Sequence, residues 1–190
     1  MSAVYRDSGS ISTEDKQVTI RGWVQEIRNL GGISFVIIRD RFGTVQVTLP
    51  KKKTDPAVFE GLTSVSRESV VSVTGDVKES NQTELGLELI PTSFETLSPA
   101  AVPLPIGVID KVNVEMDTRL NNRFMDLRKP EIRAIFELKS ILFDLIEEAM
   151  RDLDFTWVTT PKIVGSGAEG GATLFEVDYF GRPAYLAQSP

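Results

Sequence analysis

The stretch VTIRGWVQEIRNLGGISFVIIRDRFGTVQVTL, Val18 to Leu49, constrains the fold more than any other part of the chain. Three β-prone runs follow one another here, Val18–Ile27, Ile33–Arg39 and Thr44–Leu49. Two turn signals separate them, Asn29-Leu30-Gly31-Gly32 and Asp40-Arg41-Phe42-Gly43, each ending in the glycine that a chain reversal favours. In the third run Val45, Val47 and Leu49 alternate with Thr44, Gln46 and Thr48, the period of a strand with one buried face. In the second, Val36 and Ile38 alternate with Phe35, Ile37 and Arg39. A meander with Arg28, Phe35, Arg39 and Gln46 beside it is chemically suited to splayed nucleic-acid bases. The ring can stack, the guanidinium can hold phosphate and the amide can read a base edge. A small β-barrel with one half-exposed phenylalanine is the plainer alternative, and these residues alone leave both open.

The next segments extend the pattern. Lys51-Lys52-Lys53 suits a solvated loop, and Asp55-Pro56 reads as an N-cap with proline at the first helical position of a short helix to about Leu62. Strands are expected at Ser69–Val77 and Leu85–Ile90. Three strands, a short helix and two more strands is the order of a five-stranded OB barrel, a fold that often binds single strands on the face of its second and third strands. Phe35 and Gln46 fall there. Residues 1–17 read as a polar lead-in.

Composition removes several chemistries. The chain has neither cysteine nor histidine, which excludes disulfides, thiolate metal sites, cysteine nucleophiles and histidine-based triads. No run approaches the roughly 18 apolar residues of a membrane span, and the polar start is no signal peptide, so a cytoplasmic location is expected. The net charge of −6 argues against a general polyanion binder, yet residues 1–53 hold nine Lys/Arg against five Asp/Glu. A basic half on an acidic protein suits a partner that is oriented more than gripped, and a chance asymmetry accounts for it equally well.

Ser98-Pro99-Ala100-Ala101-Val102-Pro103-Leu104-Pro105 marks a stiff connector. In DTRLNNRFMDLR, the arginines Arg119, Arg123 and Arg128 are expected to pair with Asp117 and Asp126, with phosphate binding as the alternative. Pro130 opens the strongest helix, to about Asp152, with apolar positions at 3–4 spacing from Ile132 to Leu153 and a second stripe at Ala134, Leu138, Ile141 and Leu145. A face that wide is expected to be covered on two sides, by a core and a subunit interface or by a larger core. Phe155–Thr159 reads as a strand halted by Pro161. Gly165–Gly171 matches G-x-G-x-x-G in form only, because it leads into the β-like run Ala172–Phe180 and not into a helix whose N-terminus could face a pyrophosphate. It is expected to be a loop carrying one carboxylate. The last run reaches Pro190 with no ending signal, and the chain is expected to be a fragment.

Taken in order, these segments are similar to a known family. RGWVQEIRNLGGISFVIIRDRFGTVQV resembles the anticodon-binding OB domain of class IIb aminoacyl-tRNA synthetases, and DTRLNNRFMDLRKPEIRAIF resembles the entry to the catalytic domain in their archaeal and eukaryotic aspartyl branch. The helix with FTWVTTPKIV looks like class II motif 1, and AEGGATLFEVDYFGRPAYLAQSP like the active-site loop and the strand after it. The asparaginyl branch shares the wording Gly-Gly-Ala-Thr-Leu-Phe, whereas Gln188-Ser189-Pro190 and DTRLNNRFMDLR look aspartyl. A non-catalytic OB-fold paralogue that binds nucleic acid is the alternative from another class.

The resemblance implies an α+β multidomain chain: an OB-fold anticodon-binding domain over residues 1–98, a hinge over 99–128, and over 129–190 the truncated start of an antiparallel α/β class II catalytic domain. It implies an aspartate–tRNA ligase that uses ATP and Mg²⁺ to activate L-aspartate, transfers it to tRNA(Asp), and works as a homodimer. ATP and Mg²⁺ would be bound by residues beyond Pro190, so no catalytic or metal residue is assigned here and residues 1–190 alone are expected to be inactive. Phe35 would stack an anticodon base, with Arg28, Gln46 and Glu88 on base edges or backbone. Glu169 and Ser189 would meet the aspartate ammonium, and Pro161 would lie at the dimer interface. Strict discrimination between tRNA(Asp) and tRNA(Asn) goes in this branch with a tryptophan two positions after Trp23 and a lysine at the position of Glu84. This chain has Gln25 and Glu84 instead. An amide both donates and accepts, so the expectation is a non-discriminating enzyme that also charges tRNA(Asn).

Overall fold

The computed structural model describes residues 3–109, 113–165 and 174–187. The chain divides into two compact units, residues 1–133 and 134–190.

The first unit is built on five long strands: β2 (Gln17–Asn29), β3 (Ile33–Arg39), β4 (Thr44–Pro50), β5 (Val70–Glu79) and β6 (Leu87–Ser98), with helix α1 (Pro56–Ser64) between β4 and β5. A two-residue strand β1 (Val4–Tyr5) runs parallel to the start of β2. The sheet runs β2-β3-β4-β6-β5 and closes because β5 also pairs with β2. Closure removes the open edges on which a small sheet aggregates. Strand β2 serves both sides of the seam, pairing with β5 through residues 17–23 and with β3 through residues 23–29. At the changeover stands Gly22, where a Cβ would lie 2.4 Å from the carbonyl oxygen of Arg39, so only glycine lets the two backbones approach.

Inward positions on each strand fill the barrel: Val18, Ile20 and Val24 from β2, Val36 and Ile38 from β3, Val45, Val47 and Leu49 from β4, Val71 and Val73 from β5, and Leu89 from β6. Leu62 of α1 joins them with no exposed surface, a burial worth about 1.5–3 kcal/mol. The Asp55 side chain accepts from the N–H groups of Ala57 and Val58 at 2.9 and 3.3 Å and caps this helix, with Pro56 in its first turn.

Three sequence expectations about elements change. Residues 1–17 are not merely a polar lead-in, because β1 pairs with β2; a two-residue strand is too short to leave a periodic signal. The last barrel strand begins at Leu87, not Leu85, and runs on through Pro91 to Ser98. A proline ordinarily ends a strand, but Pro91 sits opposite Gly75 at a register shift, where its missing N–H is tolerated. Residues 155–159 form no strand, because no segment among the described residues pairs with them as a neighbouring strand.

The rest of the first unit packs Ile106, Val108 and Met125 into a small second core, with helices α2 (Met116–Asn121) and α3 (Arg123–Asp126). Arg119 pairs with Asp126 at 3.0 Å as expected, but Arg128 turns to Glu68 at 2.6 Å instead of an aspartate of its own segment. Helix α4 (Pro130–Asp152) begins in this unit and carries the chain into the second. Its apolar stripes are uncovered: Ile135, Leu138, Ile141, Leu142, Leu145 and Ile146 are each 49–59% exposed. A sheet of β7 (Ile163–Val164), β8 (Glu176–Tyr179) and β9 (Arg182–Leu186) completes the second unit, in the order β7-β9-β8. Among the described residues, no helix is long and apolar enough to cross a membrane.

Asp40 closes the β3–β4 turn and ties the N-terminal loop to it. Burial pushes its carboxyl pKa up, but the Ser8 hydroxyl and the amides of Ser8, Phe42 and Gly43 all donate to it, and the net effect holds it below the usual carboxylate range. A carboxylate depressed on folding contributes stability above its unfolded-state pKa of about 3.9 and loses it as pH falls through the folded-state value. Asp40→Ala should therefore lower stability at pH 7 by roughly 1.5–3 kcal/mol, with the gap narrowing as pH falls below about 4. Urea unfolding followed at Trp23 in a Trp157→Phe background, at pH 7 and pH 3, measures both; an equal loss at the two values would contradict it.

Candidate nucleic-acid interface

The outward face of β2, β3 and β4 is laid out in rows by strand register. Arg28, Phe35 and Thr48 stand side by side, then Glu26, Ile37 and Gln46, then Trp23, Arg39 and Thr44. Phe35, Ile37 and Arg39 alternate with the buried Ser34, Val36 and Ile38, so the aromatic and the arginine are half-buried on the open face, where the alternation in the sequence puts them. A register shift between Val24 and Glu26 makes Gln25 a bulged residue of β2. The bulge breaks the in-out alternation between the buried Val24 and the partly exposed Gln25 and Glu26.

A groove of 270 Å³ opens beside these rows. Gln25, Glu26, Arg28, Ile37, Thr44 and Gln46 line it from the sheet, and Gln82, Thr83, Glu84, Leu85 and Leu87 from the β5–β6 turn and the start of β6. Gln25, Arg28, Gln46 and Glu84 are thus brought to one concavity. Phe35 lies one row along, and Glu88 reaches the same face from β6. Gln82 and Thr83 carried no signal in the sequence, since turn residues of that kind are usually only solvated.

Hydrogen bonds preset the polar groups. The Gln46 Nε2 donates to Glu88 Oε2 and Thr48 Oγ1, each at 3.3 Å, and the Thr48 hydroxyl donates to Glu88 at 2.7 Å. A carboxylate only accepts, so the Gln46 amide must meet Glu88 with its nitrogen, which leaves its carbonyl oxygen to accept from a ligand. Arg28 is bound to Glu26 at 2.5 Å, and that hydrogen bond, then the charge of Glu26, raises the guanidinium pKa further. The anionic partner also tempers the positive potential that a phosphate would meet.

Behind the third row lies a buried ionic cluster that the sequence did not reveal. Glu68 binds Arg39 Nη2 through both oxygens at 3.0 and 2.9 Å, and Arg128 at 2.6 Å. The Trp23 ring faces both guanidinium groups, with ring-centre distances of 5.8 Å to Arg39 and 5.0 Å to Arg128. The arrangement holds Arg39 against the barrel and away from solvent.

Pro161 is exposed in the second unit. Glu169 and Ser189 lie outside the described residues. No group of three or more carboxylates among the described residues could hold a metal ion.

Two family models match successive stretches of the chain. The family model for the OB-fold nucleic acid binding domain matches residues 18–97, and that for tRNA synthetases class II (D, K and N) matches residues 115–190. An Archaeoglobus fulgidus protein named aspartate–tRNA(Asp/Asn) ligase is 44% identical over 187 residues, 98% of this chain and 44% of that protein. A Pyrococcus horikoshii aspartate–tRNA(Asp) ligase is 47% identical over 175 residues, 92% of this chain and 40% of that one. Among solved structures, asparaginyl-tRNA synthetase from Pyrococcus horikoshii complexed with asparaginyl-adenylate superimposes with a TM-score of 0.79 at 29% identity, over 100% of this chain and 43% of that chain. Aspartyl tRNA synthetase from Entamoeba histolytica gives 0.63 at 28% identity, over 77% of this chain and 36% of that one. The chain spans less than half the length of these relatives. Residues 18–97 thus form an OB-fold nucleic acid binding domain, and residues 115–190 the start of a class II tRNA synthetase domain of the D, K and N type.

Proposed function

We propose that this chain is the anticodon-binding front part of an aspartate–tRNA ligase, and that the open face of β2, β3 and β4 takes the anticodon loop. The observation that carries the reading is the convergence of Phe35, Arg28, Gln46 and Glu88 on one outward face of a closed barrel, beside a groove of base-scale size. Phe35 stacks a base, Arg28 holds backbone phosphate, and Gln46, set by Glu88, accepts from a base edge. L-aspartate is the amino acid and tRNA(Asp) the acceptor, as in the names of the relatives. Glu169 and Ser189 are assigned to the ammonium of aspartate, and Pro161 with helix α4 to a homodimer interface. The exposed apolar stripes of α4 support the need for a cover there. ATP and Mg²⁺ serve the reaction in this reading. The cytoplasm, where tRNA is charged, is the expected location.

Removing the Phe35 ring should weaken binding of tRNA(Asp) to the 190-residue chain by roughly 1–3 kcal/mol, the worth of one base–aromatic stack. Equal affinity of Phe35→Ala and the parent chain would show that the ring serves only the barrel.

The second acceptor, tRNA(Asn), follows from the groove. Gln25 is short and polar, and Glu84 is an anion where a cation would stand, so neither residue rejects the uridine that replaces cytidine at the third anticodon base. The relatives include proteins named for both tRNAs and for tRNA(Asp) alone at similar identity, so the reading is supported by Gln25 and Glu84 and not by overall likeness. The chain should bind tRNA(Asp) and tRNA(Asn) transcripts with affinities within about fivefold, roughly 1 kcal/mol. A preference beyond about a hundredfold, roughly 2.7 kcal/mol, would contradict this.

A further inference from the structure

Gln25 is not free to choose which end of its amide it shows. Arg39 Nη1 donates to Gln25 Oε1 at 3.3 Å. A guanidinium has donors and no acceptor, so the amide must meet it with its oxygen, whatever the ligand. Arg39 cannot swing away easily, because its Nη2 is held by both oxygens of Glu68. The Arg39 side chain is 13% exposed and that of Glu68 only 4%. Glu68 is itself fixed by its backbone: φ is +65°, in the left-handed region that a glutamate rarely adopts, and its N–H donates to the Val24 carbonyl at 2.7 Å, next to the bulge that carries Gln25. One strained, buried carboxylate thus sets a guanidinium, which sets an amide at the groove wall.

We propose that Arg39, locked by Glu68, is a positioning residue for base recognition: it fixes Gln25 with its NH₂ toward the groove, so that this position takes a hydrogen-bond acceptor of the base. This deepens the anticodon reading and rests on it. Cytosine and uracil invert their donor and acceptor at the 3 and 4 positions and share only the carbonyl oxygen at position 2. A clamped donor meets that shared oxygen and so accepts both bases. Tolerance then comes from a rigid contact to what the two have in common, not from an amide that flips to suit each. The clamp also gives a specificity that a flipping amide lacks, against a base with a donor at position 2.

The test uses anticodon hairpins that differ only at the third anticodon base, carrying cytosine, uracil, or isocytosine, which has an amino group in place of the 2-carbonyl oxygen. The 190-residue chain should bind the first two within about threefold and the isocytosine hairpin at least about tenfold more weakly, the cost of facing one donor with another. Arg39→Met releases the amide, and the gap between carbonyl and amino hairpins should shrink to within about threefold. Gln25→Leu, which leaves the buried cluster intact, should also abolish the gap, and it keeps the test decisive if Arg39→Met fails to fold. Isocytosine bound as tightly as uracil by the parent chain would overturn the proposal. So would a Met variant that weakens all three hairpins equally, which is what a purely structural arginine would do, or a Leu variant that keeps the gap. Failure of the underlying reading looks different: the parent chain would bind none of the three better than a hairpin of unrelated loop sequence.

Discussion

The buried carboxylate of Glu68, shared between Arg39 and Arg128 beside the Trp23 ring, is the interaction on which the interface depends. A carboxylate that is only 4% exposed is costly unless it is matched, and stranding a buried charge by removing its partner commonly costs about 3–5 kcal/mol. Here Glu68 is matched by Arg39, 13% exposed, and by Arg128 at the wetter edge of the cluster, 27% exposed. Arg39 comes from β3, Glu68 from the loop between α1 and β5, and Arg128 from the segment after α3, so one anion joins parts separated by 29 and 60 residues in sequence. The same anion orders the side chain at the third row of the open face. The two aromatic–cation contacts add about 0.5–2 kcal/mol each.

The open face is preset more by partial charge than by net charge. The protein as a whole carries −6, and Arg28 shares its charge with Glu26, so the face is not a strong attractor for any polyanion. What it offers is a half-buried ring, an amide oxygen at Gln46 fixed by Glu88, and an amide donor at Gln25 fixed by Arg39. Groups held in place before the ligand arrives lose little freedom on binding. Such a surface selects by arrangement, which is the demand that three consecutive bases make.

Much of the barrel was legible because its strands obey a period of two with few exceptions. Val45, Val47 and Leu49 point inward as their alternation requires, Asp55-Pro56 caps a helix, and α4 starts at Pro130 and ends at Asp152 as its spacing demands. Phe35 and Gln46 could be placed on the open face for the same reason. The failures have physical causes as well. Val4–Tyr5 is too short for a period, and the reach of β6 past Pro91 depends on Gly75 in another strand. Phe155–Thr159 has the composition of a strand, but strand formation needs a partner as well as propensity. Glu68 was invisible, since its φ and both its arginines are set by tertiary packing, and nothing in Arg67-Glu68-Ser69 marks it. The bulge at Gln25 was hidden likewise: a one-residue slip in register leaves no trace in a single strand's composition.

In the proposed function the anticodon lies across β2, β3 and β4. The most direct measurement is photo-crosslinking of an anticodon hairpin, carrying 5-bromouridine at the middle anticodon position, to the 190-residue chain, with the attached residue read by mass spectrometry. The account predicts attachment at Phe35 or among the groove residues next to it. Attachment confined to the apolar face of α4 or to the exposed Phe42 of the β3–β4 turn would contradict it.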